Sequence, residues 1–392
     1  MYKISKYNYL RIRITFILML NLYIMTDLNI IFQIRNKLFS NSSNHLEIKT
    51  FNEFFNTTIK NNTILILELN KYHHECTPGY SKYFIDLGYS VDIVMHHLGI
   101  DSFSLFQEIQ NIRIFAFNEI KQIINKFKYF PFIIKRYNYV LLQSTDKKKK
   151  NLYIRLGLLN LNNLIYVFHD ISFADMSYSS YFNKNRIWTI GNMSIGLQVN
   201  PHYFGNINIK NKNKIIRFFM TSTAHRNYKY IIDSAKRLKQ ENFIFEIIIT
   251  GRAKKLNSKR IPKILKDIFI FKHKVSYIEL YKDVESSDYI IIPLNPKSKN
   301  DIQYKTIKVT GSIQLMYGFI KPVIIHEEFS NFYNLNDNNS LIYDDFNLYN
   351  IIKKAILLDN KDYHKLQKNL IIIEKEISEI SIKNIKKVIN AL

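Results

Sequence analysis

A chain of 392 residues exceeds what one hydrophobic core usually serves, so two domains are the expected organisation. Hydrophobic residues make up 47% and aromatic residues 14%, which excludes a disordered or collagen-like chain. The net charge of +24 permits anionic partners such as nucleotides, acidic lipid headgroups or nucleic acid; because Lys, Asn, Ile, Tyr and Phe are over-used together, it does not select among them.

With 10 glycines and 7 prolines, flexible linkers must be short. The single cysteine, Cys76, excludes an intrachain disulfide and fits a reducing compartment. Residues 1–60 read as an N-terminal extension. Arg11 and Arg13 precede an apolar run, Ile14 to Met25, that is too short for a comfortable membrane span and is followed by no small-residue cleavage site. It is a membrane-associated leader, a degenerate signal anchor, or an upstream stretch before a start at Met25; the last is preferred.

Regular organisation is expected from residue 61, in a first α/β domain over 61–208. Thr63–Leu69 is an apolar run fit for a buried parallel strand, the loop Asn70–Gly79 follows, and Tyr80–Leu87 is helical up to Gly88. Further strands are predicted at Tyr89–Met95, Ile112–Phe115, Tyr139–Leu142, Leu164–Phe168 and Ile187–Ile190. Strand, helix and strand in this succession open a Rossmann-like domain. Lys121–Tyr137 interleaves basic and aromatic residues around Pro131, a pattern that suits either an anionic membrane surface or a packed segment with snorkelling lysines. Lys147–Lys150 reads as a solvated loop that would add to such a basic side.

Gly205–Lys214 loses all apolar periodicity and is the predicted linker. The alternation then restarts over a second domain, 215–375, followed by a C-terminal helix, 376–392. Strands are predicted at Ile215–Thr221, Phe243–Thr250, Ile268–Phe271, Tyr289–Pro293, Val323–Ile325 and Leu341–Tyr343. Helices are predicted at Tyr228–Leu238, Tyr277–Ser286, Phe346–Leu358 and Asp362–Leu392. Thr310, Gly311 and Ser312 start another helix, which Gly318 is placed to end in a left-handed turn. A helix start fronted by small residues offers free backbone N–H groups to a phosphate.

The second half resembles the nucleotide-sugar domain of GT-B glycosyltransferases, most of all the retaining bacterial enzymes that build lipopolysaccharide, capsule and related glycans. The matching pieces stand in order: FFMTSTAHRNYKYIIDSAKRL, EIIITGRAKK, KVSYIELYKDVESSDYIIIPL and VTGSIQLMYGFIKPVII. The resemblance covers about residues 215–345, and is carried by the sum of these pieces. In the first half it rests on the strand–helix–LGYSVDIV opening and on Val167-Phe168-His169-Asp170. It implies two Rossmann-like domains facing each other across a cleft, and a metal-independent, retaining transfer. The donor would be a nucleoside-diphosphate sugar with no further cofactor; the acceptor would be a surface glycan or its lipid-linked precursor. It also implies a cytoplasmic protein, peripheral on the inner face of the membrane. One departure is plain. The family's pair of glutamates seven residues apart is missing, with Ile313, Gln314 and Leu315 in its place; by the resemblance, Ser312 or Gln314 would contact the ribose or phosphate instead.

Stabilising a departing diphosphate without a metal requires cations and a helix dipole. The chain has no Asp-x-Asp pair to hold a divalent ion. Arg226 and Arg252 follow predicted parallel strands, where open α/β sheets bind ligands, and Lys254 lies beside Arg252. By the resemblance, Thr310, Gly311 and Ser312 would meet the distal phosphate, and the backbone of His273–Ser276, including Val275, would flank the base. His169, with Asp170 beside it, would touch the sugar or support charge in the transition state. His73, His74 and Glu75 lie in the first strand-to-helix loop, where an acceptor would enter, and adjacent side chains diverge too far to make a metal site alone. Gly-x-Gly-x-x-Gly, Walker, Gly-x-Ser-x-Gly, Cys-x-x-Cys and His-Glu-x-x-His motifs are all missing from the sequence. Rival readings are a nucleotide-sugar epimerase of the same fold, an inactive GT-B-like protein, and a nucleic-acid-binding protein. The last is suggested by charge alone and lacks any reader motif, so no nucleic acid is expected.

Overall fold

The structure, a computed structural model, describes residues 46–107, 109–174, 184–222, 228–251 and 261–391. The first half runs β1 (Glu47–Thr50), α1 (Phe51–Phe54), β2 (Thr63–Glu68), α2 (Thr77–Asp86), β3 (Ser90–His96), β4 (Ile112–Phe117), α3 (Ile120–Asn125), α4 (Phe130–Ile134), β5 (Tyr139–Leu142), α5 (Lys150–Arg155), β6 (Leu164–Phe168), β7 (Ile187–Thr189) and β8 (Leu197–Gln198). The strands form one eight-stranded parallel sheet in the order β1-β4-β3-β2-β5-β6-β7-β8. Every residue of β2 is buried, as befits a central parallel strand covered on both faces.

The second half runs β9 (Ile216–Ser222), α6 (Lys229–Gln240), β10 (Phe245–Gly251), β11 (Phe269–His273), α7 (Tyr277–Ser286), β12 (Tyr289–Ile292), α8 (Gly311–Phe319), β13 (Val323–His326), α9 (Glu327–Ser330), β14 (Leu341–Tyr343), α10 (Leu348–Leu357) and α11 (Asn360–Ile389). Its six-stranded parallel sheet has the order β11-β10-β9-β12-β13-β14. Both sheets reverse their winding at the centre, between β2 and β5 and between β9 and β12. The two Rossmann-like sheets expected from the sequence are present. Among the described residues, no helix is long and apolar enough to cross a membrane.

Three expectations change. Residues 46–54, assigned to the extension, belong to the first domain: β1 pairs with β4 in register Glu47↔Arg113 to Thr50↔Ala116, and Phe51 and Phe54 of α1 are buried in its core. The strand is a short edge with an exposed to half-buried pattern, so no apolar run announces it. At the other end, the boundary between 375 and 376 falls inside α11, a single helix capped by Asp359, whose carboxylate accepts the Asp362 N–H at 2.8 Å. Its last turns return to the first domain, where Ile385 and Val388 join the core and Asn384 donates to the Gln198 carbonyl at 2.8 Å.

The third change concerns Gly318. It lies within α8, and the left-handed position is taken instead by Ile320, at φ 50°. Glycine is needed at 318 for space: a Cβ there would lie 2.3 Å from the His202 carbonyl oxygen and 2.3 Å from the Phe204 ring. Gly318 thus lets the crossing segment between the domains press directly on α8. Gly318→Ala is expected to cost about 1–3 kcal/mol through overpacking against backbone, read as a lower urea midpoint. An unchanged midpoint would mean that the crossing segment yields freely.

Candidate active site

The first domain's contribution begins where β2 ends. Glu68 is fully buried there, one residue after an unbroken apolar run. Its Oε1 accepts the Asn70 N–H at 2.7 Å, and its Oε2 accepts from Gln143 Nε2 at 3.0 Å and from the Ser144 hydroxyl. Burial raises its pKa to about 7, against the opposing hydrogen bonds of Ser144 and Asn70 and the charges of His73 and Lys149. Glu68 therefore ties the loop after β2 to the loop after β5. Gln143 extends the tie by donating from Nε2 to the His73 carbonyl at 2.8 Å, and Asn70 Nδ2 donates to the Ser144 carbonyl at 3.0 Å.

His73 is held in the left-handed conformation, at φ 67°. Its ring is 45% exposed, with Nδ1 3.6 Å from Glu75 Oε1, an ion-pair distance too long for a hydrogen bond. The ring of His169, at the end of β6, lies against it with centroids 4.1 Å apart. His169 Nε2 stands 3.2 Å from the Gln143 carbonyl and 3.4 Å from Ser144 Oγ. Burial, followed by the neighbouring His73, pushes the His169 pKa well below the ordinary histidine value. The neutral ring then donates from Nε2 to the carbonyl.

Glu75 is one of the points at which the domains meet. Its Oε2 accepts the Tyr277 hydroxyl at 2.8 Å, across from α7 of the second domain. Burial alone would raise its pKa, but His73, the local backbone and Tyr277 outweigh it and hold the carboxyl at about 2. Tyr277 also donates its N–H to Asp101 Oδ2 at 2.8 Å. A Cβ on Gly311, the first residue of α8, would lie 4.0 Å from Glu75 Oε1. The Glu75 carboxylate therefore faces the positive end of α8.

The residues singled out from the sequence separate accordingly. His169 joins His73 and Glu75. Asp170 does something else: its Oδ2 pairs with Lys308 Nζ at 3.0 Å, its Oδ1 accepts the Ser172 N–H at 2.9 Å, and the Ile171 N–H donates to the Ile307 carbonyl at 3.1 Å. That short antiparallel bridge ties the domains together and occupies Asp170. Thr310 is buried at the α8 N-cap without a side-chain capping bond, and Gly311 lies opposite Glu75. The Ser312 hydroxyl is 2.8 Å from Thr221 Oγ1, so it joins α8 to β9, leaving its backbone as the group that could meet a phosphate. Gln314 is buried and its Nε2 has no partner among the described residues. Val275 is half-buried in the turn before α7. Arg226, Arg252 and Lys254 lie outside the described residues. Sequence reasoning missed Glu68, Gln143, Ser144, Tyr277 and Lys308. A carboxylate closing a wholly apolar strand was the available signal for Glu68. The Ser276–Glu279 capping box, which starts α7, was the one for Tyr277.

Both sheets thus turn the C-terminal ends of their strands towards a shared seam, the edge at which open α/β sheets bind ligands. Among solved structures, the chain is similar to a glycosyltransferase from Rickettsia africae ESF-5, with a TM-score of 0.51 and 13% identity over 85% of this chain and 99% of that one. It is also similar to HepE from Anabaena, solved in complex with UDP and glucose, with a TM-score of 0.52 and 11% identity over 84% of this chain and 100% of that one. The chain has the GT-B fold. At these identities the likeness speaks for the fold alone. No protein-family model matches the sequence, and no curated protein matches it. In GT-B terms, β1–β8 form the N-terminal domain and β9–β14 the C-terminal domain. Glu75 and His73 then lie on the N-terminal side of the cleft, and α8 on the other. Among the described residues no cluster of His, Cys, Asp or Glu could hold a metal ion.

Proposed function

We propose that this protein is a glycosyltransferase that moves a sugar from a nucleoside-diphosphate sugar to a surface glycan or its lipid-linked precursor. The observation that carries this reading is the convergence, at one GT-B seam, of His73, Glu75 and His169 with the start of α8. The diphosphate is assigned to the N–H groups of Gly311 and Ser312, with Arg226, Arg252 and Lys254 as the cations that would neutralise the leaving group. Gln314, buried with an unpartnered amide nitrogen, is assigned to the ribose or phosphate. Val275 and its turn are assigned to the base. Both solved GT-B proteins named above fit a nucleotide-sugar reading, since one is described as a glycosyltransferase and the other was solved with UDP and glucose.

The sequence resemblance favours a retaining transfer. The His73–Glu75 pair favours a second course, in which His73 takes the proton from the attacking hydroxyl and the sugar inverts in one displacement. Neither course draws on a metal in this reading.

The test is a thermal-shift panel of UDP, GDP, ADP, CMP and their sugars, followed by acceptor assays with the best donor and assignment of the anomeric proton in the product. A shift with one nucleoside diphosphate and transfer from its sugar are expected. Epimerised donor in the absence of acceptor would replace this reading by an epimerase. No shift from any nucleotide would overturn it.

A further inference from the structure

We propose that the face formed by α3, α4 and the turn between them is a docking surface for an anionic phospholipid bilayer. The segment is firmly seated on one side: Ile123, Phe130, Ile133, Ile134 and Tyr137 are buried in the same core cluster as Phe51 and Phe54. On the other side it shows water an unusual amount of aromatic surface. Phe132 is 76% exposed, Tyr129 62% and Phe127 40%. A folded chain that already has a full core beneath this segment gains nothing internally from holding three aromatic rings outward.

The charge around those rings has one sign. From Lys121 to Tyr137 the cations are Lys121, Lys126, Lys128, Lys135 and Arg136, and no carboxylate interrupts them. Lys126 and Arg136 line a shallow hollow of about 460 Å³ together with Phe55, Tyr129 and Phe132. Two cations facing one open hollow with aromatic walls suit a phosphodiester headgroup above the acyl boundary. Pro131 packs close to Gly157, with 3.0 Å between its Cγ and the place of a Cβ there, which brings the end of α5 alongside. Ile154, 48% exposed, and the exposed Arg155 thereby extend the surface with the same pairing of apolar and basic groups.

Aromatic rings at the headgroup level and lysines reaching acidic lipid are the two halves of interfacial binding. A single-stranded nucleic acid would also accept cations and aromatic rings. It needs a groove that tracks several nucleotides, though, and this hollow offers one compact depression.

The surface is independent of the sugar-transfer reading, because its test needs no donor. The whole chain is floated with neutral phosphatidylcholine vesicles and with vesicles containing about 30% phosphatidylglycerol. Phe132→Ser with Tyr129→Ser forms one variant, and Lys126→Ala with Arg136→Ala another. Binding is expected for the anionic vesicles, with release by high salt and a fall of about tenfold or more in each variant. All four side chains are exposed or line an open hollow, so circular dichroism and the melting temperature should stay as in the parent. Equal binding to neutral and anionic vesicles would overturn the proposal. So would binding that both variants leave intact, which would place lipid contact elsewhere in the chain. Binding of a single-stranded oligonucleotide that both variants abolish, with no vesicle binding, would give the surface to nucleic acid instead.

Discussion

Replacing His73 by Ala is expected to lower turnover by about 10²–10⁴-fold, the range for loss of a positioned general base, while nucleoside-diphosphate affinity changes little. The expectation follows from what surrounds the ring. Glu75, held at about pKa 2, is ionised throughout the working pH range, so it supports the positive charge that His73 acquires on taking a proton. His169, pressed against His73, has its own pKa pushed well below normal, so it stays neutral and does not oppose that charge. Glu75 itself contributes no limb near neutrality, since it has finished titrating far below it. His169→Ala should also reduce turnover more than donor affinity, because the ring holds His73 in place without occupying the phosphate side of the seam. Steady-state kinetics with the best donor, and calorimetry with its nucleoside diphosphate, separate the two effects. Turnover within threefold of the parent in His73→Ala, with unaltered pH dependence, would remove His73 from the chemistry and leave the pair as a structural contact.

The parts of this molecule that were legible in the sequence are those fixed by local pattern. Runs such as TILILE and YIII are continuous because parallel strands are covered on both faces, and they fall where the strands are. Helix α7 was readable to the residue, from a capping serine before Tyr277 to Ser286, because capping and amphipathic spacing agree there. Strand β1 was not, since an edge strand with half-exposed side chains carries no apolar run. Gly318 looked like a helix stop because sequence shows only the glycine, whereas its reason is a carbonyl from residue 202 pressed against it. The site was hardest. Glu68 meets Gln143 and Ser144 from 75 and 76 positions away, and Tyr277 meets Glu75 from 202 positions away. Such pairings depend on strand order, and residue spacing along the chain holds no trace of them.

Glu68→Ala is expected to cost about 3–5 kcal/mol of folding stability. Asn70, Gln143 and Ser144 would each lose a buried acceptor, at about 1–3 kcal/mol apiece before water recovers part of it. The parent protein should also show a pH dependence that the variant lacks. With a folded pKa of about 7 against an ordinary 4.5, the folded state binds the extra proton between these values. Stability from this group is therefore complete below pH 4.5 and declines as pH rises through 7, by about 3 kcal/mol in total. Urea titrations of both proteins at pH 5 and pH 8 measure the difference. A parent whose stability from this group is flat across that window would show that Lys149 and the three donors keep Glu68 ionised, and the tie would then be a buried ion contact. The consequence reaches catalysis through a single link. Gln143 is gripped by Glu68 on one side and donates to the His73 carbonyl on the other, so loss of Glu68 should loosen the left-handed turn that presents His73 and lower turnover in a protein whose substrate never touches residue 68.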